Sequence, residues 1–140
     1  ARPFDEEASR WSRWDTLIRQ TDRSWVGTSC ETIAVRNLLQ QHLSPQETVV
    51  IVGLEEDSQM LAVELTRLGY QVSRIGTGRE QRPGSREQRQ GFEAVDQAAA
   101  LIHCDRFYRT GSRATIQPDS RWDLTRFHGE LLIDMADPLQ

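Results

Sequence analysis

An unbroken run of four β-branched residues, Val49–Val52, constrains the fold of this chain more than any other feature. The run has no polar alternation, which is typical of a strand that is covered on both faces, as in a parallel sheet. Leucines follow at helical spacing at positions 61, 65 and 68, and Gly69 stands where a left-handed residue often ends a helix. A second apolar stretch begins at Val72. Strand, helix and strand within residues 48–72 predict a right-handed parallel crossover and therefore an α/β fold.

The other predicted elements flank this unit. Apolar periodicity and turn residues predict three helices and two strands, in chain order a tryptophan-bearing helix over 4–20, a helix over 29–43, a helix over 90–104, and strands over 113–117 and 129–134. We expect Thr28 and Glu31 to form a capping box for the second helix, and Asp57 or Ser58 to cap the helix after Val52. The sequence thus predicts an N-terminal helical extension over 1–27. A small three-layer α/β domain with a short, mainly parallel sheet follows over 28–140.

The segment 76–91 has no apolar anchor and is rich in arginine, glutamine and glycine. It follows the predicted second strand, at the sheet edge where open α/β sheets bind ligands. Its four arginines are Arg79, Arg82, Arg86 and Arg89. We interpret the segment as a flexible loop that is solvated, binds an anion or a phosphate, or contacts a protein.

Composition excludes several kinds of chemistry. All seventeen basic residues are arginine, so no lysine is present for a P-loop, a Schiff base or a lysine-dependent nuclease. The net charge of −4 does not favour a nucleic-acid partner, and no apolar run is long enough to span a membrane. The two cysteines, Cys30 and Cys104, form no disulfide framework, so we expect a reducing cytoplasm. Cys30 is expected to be a small buried hydrophobe, or else a reactive thiol at a helix start.

The turn after the first strand resembles the dinucleotide-binding fingerprint of Rossmann-like proteins. Gly53, Glu55 and Ser58 occupy the positions of its three glycines, so the second and third glycines are absent. The family's ribose-binding acid at the end of the second strand is also absent, but an arginine there suits a 2′-phosphate. The resemblance therefore implies an atypical cofactor site, with NADP bound by these three residues and by Arg74 or Arg79.

Two other families resemble parts of the chain. The opening Phe4–Trp11, with a helix ahead of the first strand, is similar to class I S-adenosylmethionine methyltransferases, which implies that cofactor as an alternative. The acids at 55–57 and the segment 132–138 are similar to the receiver domains of response regulators, which implies a pseudo-receiver signalling role. The glycine-rich turn of the methyltransferases and the strand spacing of the receivers are both missing.

All three relatives share one fold, and the chain lacks the motifs of each of their chemistries. The sequence therefore favours a non-catalytic regulatory or scaffolding module without a cofactor, which acts through a protein partner or as a homo-oligomer. Trp11 and Trp14 either pack in the core or provide the contact surface, together with Arg82 and Arg86 from the arginine-rich segment. A nucleotide or S-adenosylmethionine binding domain is the alternative. The acids Asp134 and Asp137 are interpreted as caps of the strand end, or else as paired carboxylates for acid–base chemistry or a divalent ion.

Overall fold

A computed structural model describes residues 1–53, 56–76, 84–104 and 126–135. The chain divides into two compact units, Ala1–Gln41 and His42–Gln140. The predictions for Glu55, Arg79, Arg82, Asp137 and the strand over 113–117 lie outside the described residues.

The first unit contains a small mixed sheet and two helices. Its elements are β1 (Arg2–Pro3), α1 (Glu6–Ser9), β2 (Thr16–Arg19), β3 (Trp25–Thr28) and α2 (Cys30–His42), the last residue of which falls in the second unit. The strand order is β1-β3-β2, with β1 parallel and β2 antiparallel to β3. A single helix over 4–20 is therefore wrong.

Tertiary pairing explains why the predicted first helix is interrupted. Ile18 pairs with Val26, a buried residue of β3, so strand pairing overrides the helical spacing of the apolar residues. The hairpin closes where Arg23 takes a positive φ of 70° and donates its N–H to the Gln20 carbonyl at 3.0 Å. Only the short α1 remains helical, and the Asp5 carboxylate caps it by accepting the Ala8 N–H at 2.7 Å.

Helix α2 begins one residue later than the predicted capping box requires. The Ser29 hydroxyl accepts the Thr32 N–H at 3.2 Å, so Ser29, and not Thr28, is the N-cap. The Asp15 carboxylate also accepts the N–H groups of Cys30 and Glu31, each at 2.9 Å. A distant acid therefore satisfies amides that have no partner inside the helix. Cys30 is exposed at this helix start, so its predicted burial is wrong.

The second unit is a doubly wound α/β sheet. It contains β4 (Thr48–Val52), α3 (Glu56–Arg67), β5 (Gln71–Ile75), α4 (Arg86–Gln97), β6 (Ala100–His103) and β7 (Leu131–Asp134). The strand order is β5-β4-β6-β7, and all three pairings are parallel. The small three-layer α/β fold with a mainly parallel sheet is confirmed, as are the first crossover and the last strand.

The core forms on both faces of the central strands. Val50, Val52 and Leu101 pack with Val95 and Ala98 of the α4 segment. The opposite face of β4 and β6 is fully buried as well, through Val49, Ile51, Ala100 and Ile102. Successive right-handed crossovers lead to opposite sides of β4, so α3 and α4 cover opposite faces. This burial on both faces explains the continuous apolar run in the sequence.

Three predictions in the second unit are corrected. The helix predicted over 90–104 is confirmed over 90–97 but wrong beyond that, because α4 ends at Gln97 and β6 occupies Ala100–His103. The loop over 76–91 is wrong from Arg86 onward, where α4 begins. Asp57 and Ser58 do not cap α3, since that helix starts at Glu56 and includes both residues. Every helix within the described ranges is too short or too polar to cross a bilayer.

Candidate functional site

The carboxyl ends of the four parallel strands form the first candidate site. After β4 the chain crosses to β5 on one side, and later it returns to β6 on the other side of β4. The crevice between β4 and β6 is therefore the topological switch point, where open α/β sheets bind ligands. Gly53 follows β4 at this edge and Cys104 follows β6, and the Cys104 N–H donates to the Val52 carbonyl at 2.8 Å.

Two residues of the predicted cofactor turn, Gly53 and Ser58, are buried at the sheet edge. Gly53 is buried with φ at 134°, a backbone conformation that favours glycine, and its N–H donates to the Ile75 carbonyl at 2.8 Å. Ser58 is fully buried, and its side chain is small. The third glycine of the fingerprint normally allows close packing of the helix on the sheet, for which a small residue is needed.

Arg74 lies beside this turn. It pairs in register with Ile51, and its Nη2 donates to the Ser58 hydroxyl at 2.9 Å. The structure therefore brings Ser58 and Arg74 together on the α3 face of the sheet. The guanidinium lies by the first turn of α3, which also contains the acids Glu56 and Asp57. Arg74 consequently places positive charge beside an acidic helix start.

An open groove extends from Arg74 between α3 and β5. Its volume is about 430 Å³, and its lining is formed by Gln59, Ala62, Val63, Thr66, Val72 and Arg74. Val63 is 64% exposed, so the groove is shallow and largely apolar with one cation at its end. Such a lining contacts apolar groups but has few polar groups to orient a substrate.

A histidine and an aspartate meet at the ends of β6 and β7, a pair that the sequence analysis missed. His103 and Asp134 are register partners, and Nδ1 of the histidine lies 3.2 Å from Oδ1 of the aspartate. A neutral imidazole that donates its Nδ1–H to the carboxylate keeps its Nε2 lone pair for another proton or ligand. Assigning His103 to a helix concealed the pair, because only two parallel strands that end at the same level bring these residues together.

The neighbouring sulfur atoms are structural. Cys104 is buried, and its Sγ lies 3.8 Å from the Met135 sulfur. No group of three metal-binding side chains occurs among the described residues. The edge therefore combines a glycine turn with one hydrogen-bonded histidine.

The outward face of the small sheet is the second candidate site. Leu17 and Gly27 are register partners, as are Arg19 and Trp25, so these four residues share one face. The Trp14 ring lies directly on Gly27, and a Cβ at that glycine would overlap it. The Trp14 Nε1 donates to the Ala8 carbonyl at 3.0 Å, which fixes the ring in place.

This face, which we call the tryptophan face, consists of Trp14, Leu17, Arg19 and Trp25. Leu17 is 59% exposed and Trp25 is 48% exposed. Trp11, the other predicted contact residue of this unit, is only 6% exposed and cannot offer a comparable surface. The sequence signal for the face was the alternation of Leu17 and Arg19 opposite Trp25, which the prediction of a continuous helix concealed.

Arg86, the remaining predicted contact residue that is described, is exposed at the start of α4. Farther along α4, Asp96 forms a two-bond ion pair with Arg126, at 2.6 and 3.0 Å. The Arg126 guanidinium lies 4.9 Å from the centre of the Phe92 ring. Hydrogen bonding from Arg126 lowers the pKa of Asp96. These contacts attach the segment before β7 to α4 and are structural.

Comparison of the sequence with models of protein families and with curated proteins finds no match. The functional argument therefore depends on the geometry of the two candidate sites.

Proposed function

We propose that this chain is a non-catalytic module that acts through protein contacts made by the tryptophan face. The exposure of Leu17 and Trp25 on one side of the small sheet carries the proposal. An antiparallel sheet commonly buries one face and presents polar residues on the other. Here Val26 and Thr28 of β3 are buried on one face, yet the opposite face is apolar and aromatic.

The composition of the face supports a protein partner. Tryptophan and arginine are enriched at protein interfaces and are frequent among the residues that dominate binding energy. Trp14 is held by its hydrogen bond to Ala8 and by its contact with Gly27, so little side-chain freedom remains for a partner to restrict. Trp14, Leu17 and Trp25 together provide an apolar surface next to the Arg19 cation, and Trp14 is its fixed member.

The test removes the apolar surface without touching the buried face. The double variant Leu17→Ser, Trp25→Ser is compared with the wild type in quantitative mass spectrometry of the complexes formed in the native host. Val63→Ser, an equally exposed apolar change in the other unit, is the matched control. We expect the double variant alone to lose the partner while its circular dichroism stays unchanged. Complexes that persist in the double variant would contradict the proposal.

A second candidate function is nucleotide or S-adenosylmethionine binding at the β4 turn. The positive φ of Gly53 and the complete burial of Ser58 favour it, because both meet steric requirements of the fingerprint. Thermal unfolding against NAD(H), NADP(H), S-adenosylmethionine, ATP and GTP tests this reading. A ligand at a hundred times its Kd adds about 2.7 kcal/mol of stability. A shift with one ligand that Arg74→Gln weakens would replace the contact proposal.

A further inference from the structure

Strand β2 is an edge strand whose outer side faces no other strand among the described residues. The Gln20 N–H donates to the Ser24 carbonyl at 2.8 Å, so these residues form a hydrogen-bonded pair at the end of the hairpin. Hydrogen-bonded pairs alternate along an antiparallel ladder, so Ile18 bonds to β3 whereas Leu17 and Arg19 direct their N–H and C=O groups outward. Consistently, the Gly27 carbonyl, opposite Leu17, turns away from β2 and accepts the Phe4 N–H at 2.8 Å.

The same two residues belong to the tryptophan face. A strand added to β2 would place its side chains directly opposite Leu17 and Arg19, on the side where Trp25 lies. Leu17 would contact an apolar side chain, and Arg19 would pair with an acidic one. Main-chain hydrogen bonds would then supply affinity, and alternate side chains would supply selectivity.

The charges near this edge favour an acidic partner. Arg19 and Arg23 are exposed at the hairpin, whereas both nearby carboxylates are engaged locally. Asp15 accepts the first amides of α2, and Asp22 accepts the Ser24 N–H at 2.9 Å and its hydroxyl at 2.6 Å. An incoming carboxylate placed opposite Arg19 therefore meets a cation directly, whereas Asp15 and Asp22 keep their negative charge but direct it toward local amide and hydroxyl donors.

We propose that β2 accepts an extended segment of a partner protein as an added strand, in which an acidic residue lies two positions from an apolar one. This inference rests on the proposed function and specifies its partner. A segment with that spacing presents the acid and the apolar group on the same side, opposite Arg19 and Leu17.

A charge exchange tests the inference directly. The probe is a short synthetic peptide in which glutamate and valine alternate at every second position, so that both lie on the same side of the extended strand. It is titrated into the full chain, and binding is followed by tryptophan fluorescence. Arg19→Glu is expected to weaken binding by about tenfold, since it replaces attraction by repulsion. A peptide with arginine in place of the glutamate should restore the affinity for that variant and bind the wild type poorly. Arg89→Glu, the same charge change at an exposed arginine of α4, is the control.

Amide hydrogen exchange provides the second readout. The bound peptide should slow exchange of the Leu17 and Arg19 N–H groups, and methylating the peptide's backbone nitrogens should abolish binding. Equal binding by the methylated peptide, or no dependence on the charge of residue 19, would overturn the added-strand inference. Sedimentation that shows a dimer broken by Leu17→Pro would identify a second copy as the occupant and overturn it as well. The wider contact proposal fails separately, if the serine double variant keeps its natural complexes.

Discussion

The Asp15 carboxylate should contribute measurable stability to the first unit because it caps α2 from a distance. It accepts the N–H groups of Cys30 and Glu31 at 2.9 Å, two amides that point out of the helix. Removing a side-chain cap costs about 0.5–2 kcal/mol. Because Asp15 is exposed to water, we expect about 1 kcal/mol for Asp15→Asn, and slightly more for Asp15→Ala, which leaves no acceptor.

The stability that Asp15 contributes should decrease as the pH falls. Partial burial raises the pKa of Asp15, but the hydrogen bonds from Thr16, Glu31, Cys30 and Ser29 outweigh it and lower the pKa below its ordinary value of 3.8. A depressed folded-state pKa stabilises the fold above 3.8, and this stabilisation is lost as the pH falls through the folded-state value. The difference between the wild type and Asp15→Asn should therefore be full near neutral pH and shrink in acid.

Urea unfolding followed by tryptophan fluorescence measures this difference. In a Trp122→Phe background the signal comes only from Trp11, Trp14 and Trp25, all in the first unit. Glu6→Gln removes an equal charge from the same unit and should change stability by less than about 0.5 kcal/mol. An equal loss in Glu6→Gln, or a loss in Asp15→Asn that persists unchanged below pH 3.8, would refute the capping argument.

Three further predictions follow from local geometry. Gly27→Ala should destabilise the first unit by about 1–3 kcal/mol and shift the tryptophan emission, since the new Cβ overlaps the Trp14 ring; unchanged emission would contradict that packing. Gly53→Ala should cost about 1–3 kcal/mol by thermal unfolding because φ is 134° there, whereas Gly91→Ala within α4 should not show the same backbone strain. Burial, reinforced by the Glu47 charge, raises the pKa of Tyr70, so stability should fall as the pH rises past the ordinary tyrosine value of 10.0. Tyr70→Phe should reduce that alkaline loss in denaturant titrations, and the absence of lysine removes the usual competing titration.

The sequence was sufficient to predict the parts of the fold that are fixed by local pattern and burial. Val49–Val52 predicted a central strand because residues covered on both faces can all be apolar, and these four are fully or almost fully buried. The helix and strand that follow obeyed the same local rules, with Gly69 at φ 99° just beyond the end of α3.

The remaining elements depended on pairing that a local pattern does not reveal. Ala100–His103 is a short apolar run, and periodicity alone cannot distinguish such a run from the end of a helix. Its position between β4 and β7 determines that it is a strand. Likewise, Thr16–Arg19 forms a strand because β3 pairs with it, although its neighbours fit a helical stripe.

The candidate sites also differ in whether local spacing or strand pairing brings their residues together. Gly53 and Ser58 were predicted as cofactor-binding residues from spacing alone, and the structure gives Gly53 a positive φ and buries Ser58. The His103 and Asp134 pair needed the register of two strands that are thirty-one positions apart at that point. The tryptophan face needed the hairpin, since only pairing places Trp25 beside Leu17 and Arg19.

When the full chain binds a natural partner, we expect slower hydrogen exchange for the outward amides of Thr16–Arg19 than in the free chain, with no change at Gly53 and Cys104. Protection confined to Gly53 and Cys104, with β2 unchanged, would contradict the contact proposal and assign the function to the carboxyl edge of the parallel sheet.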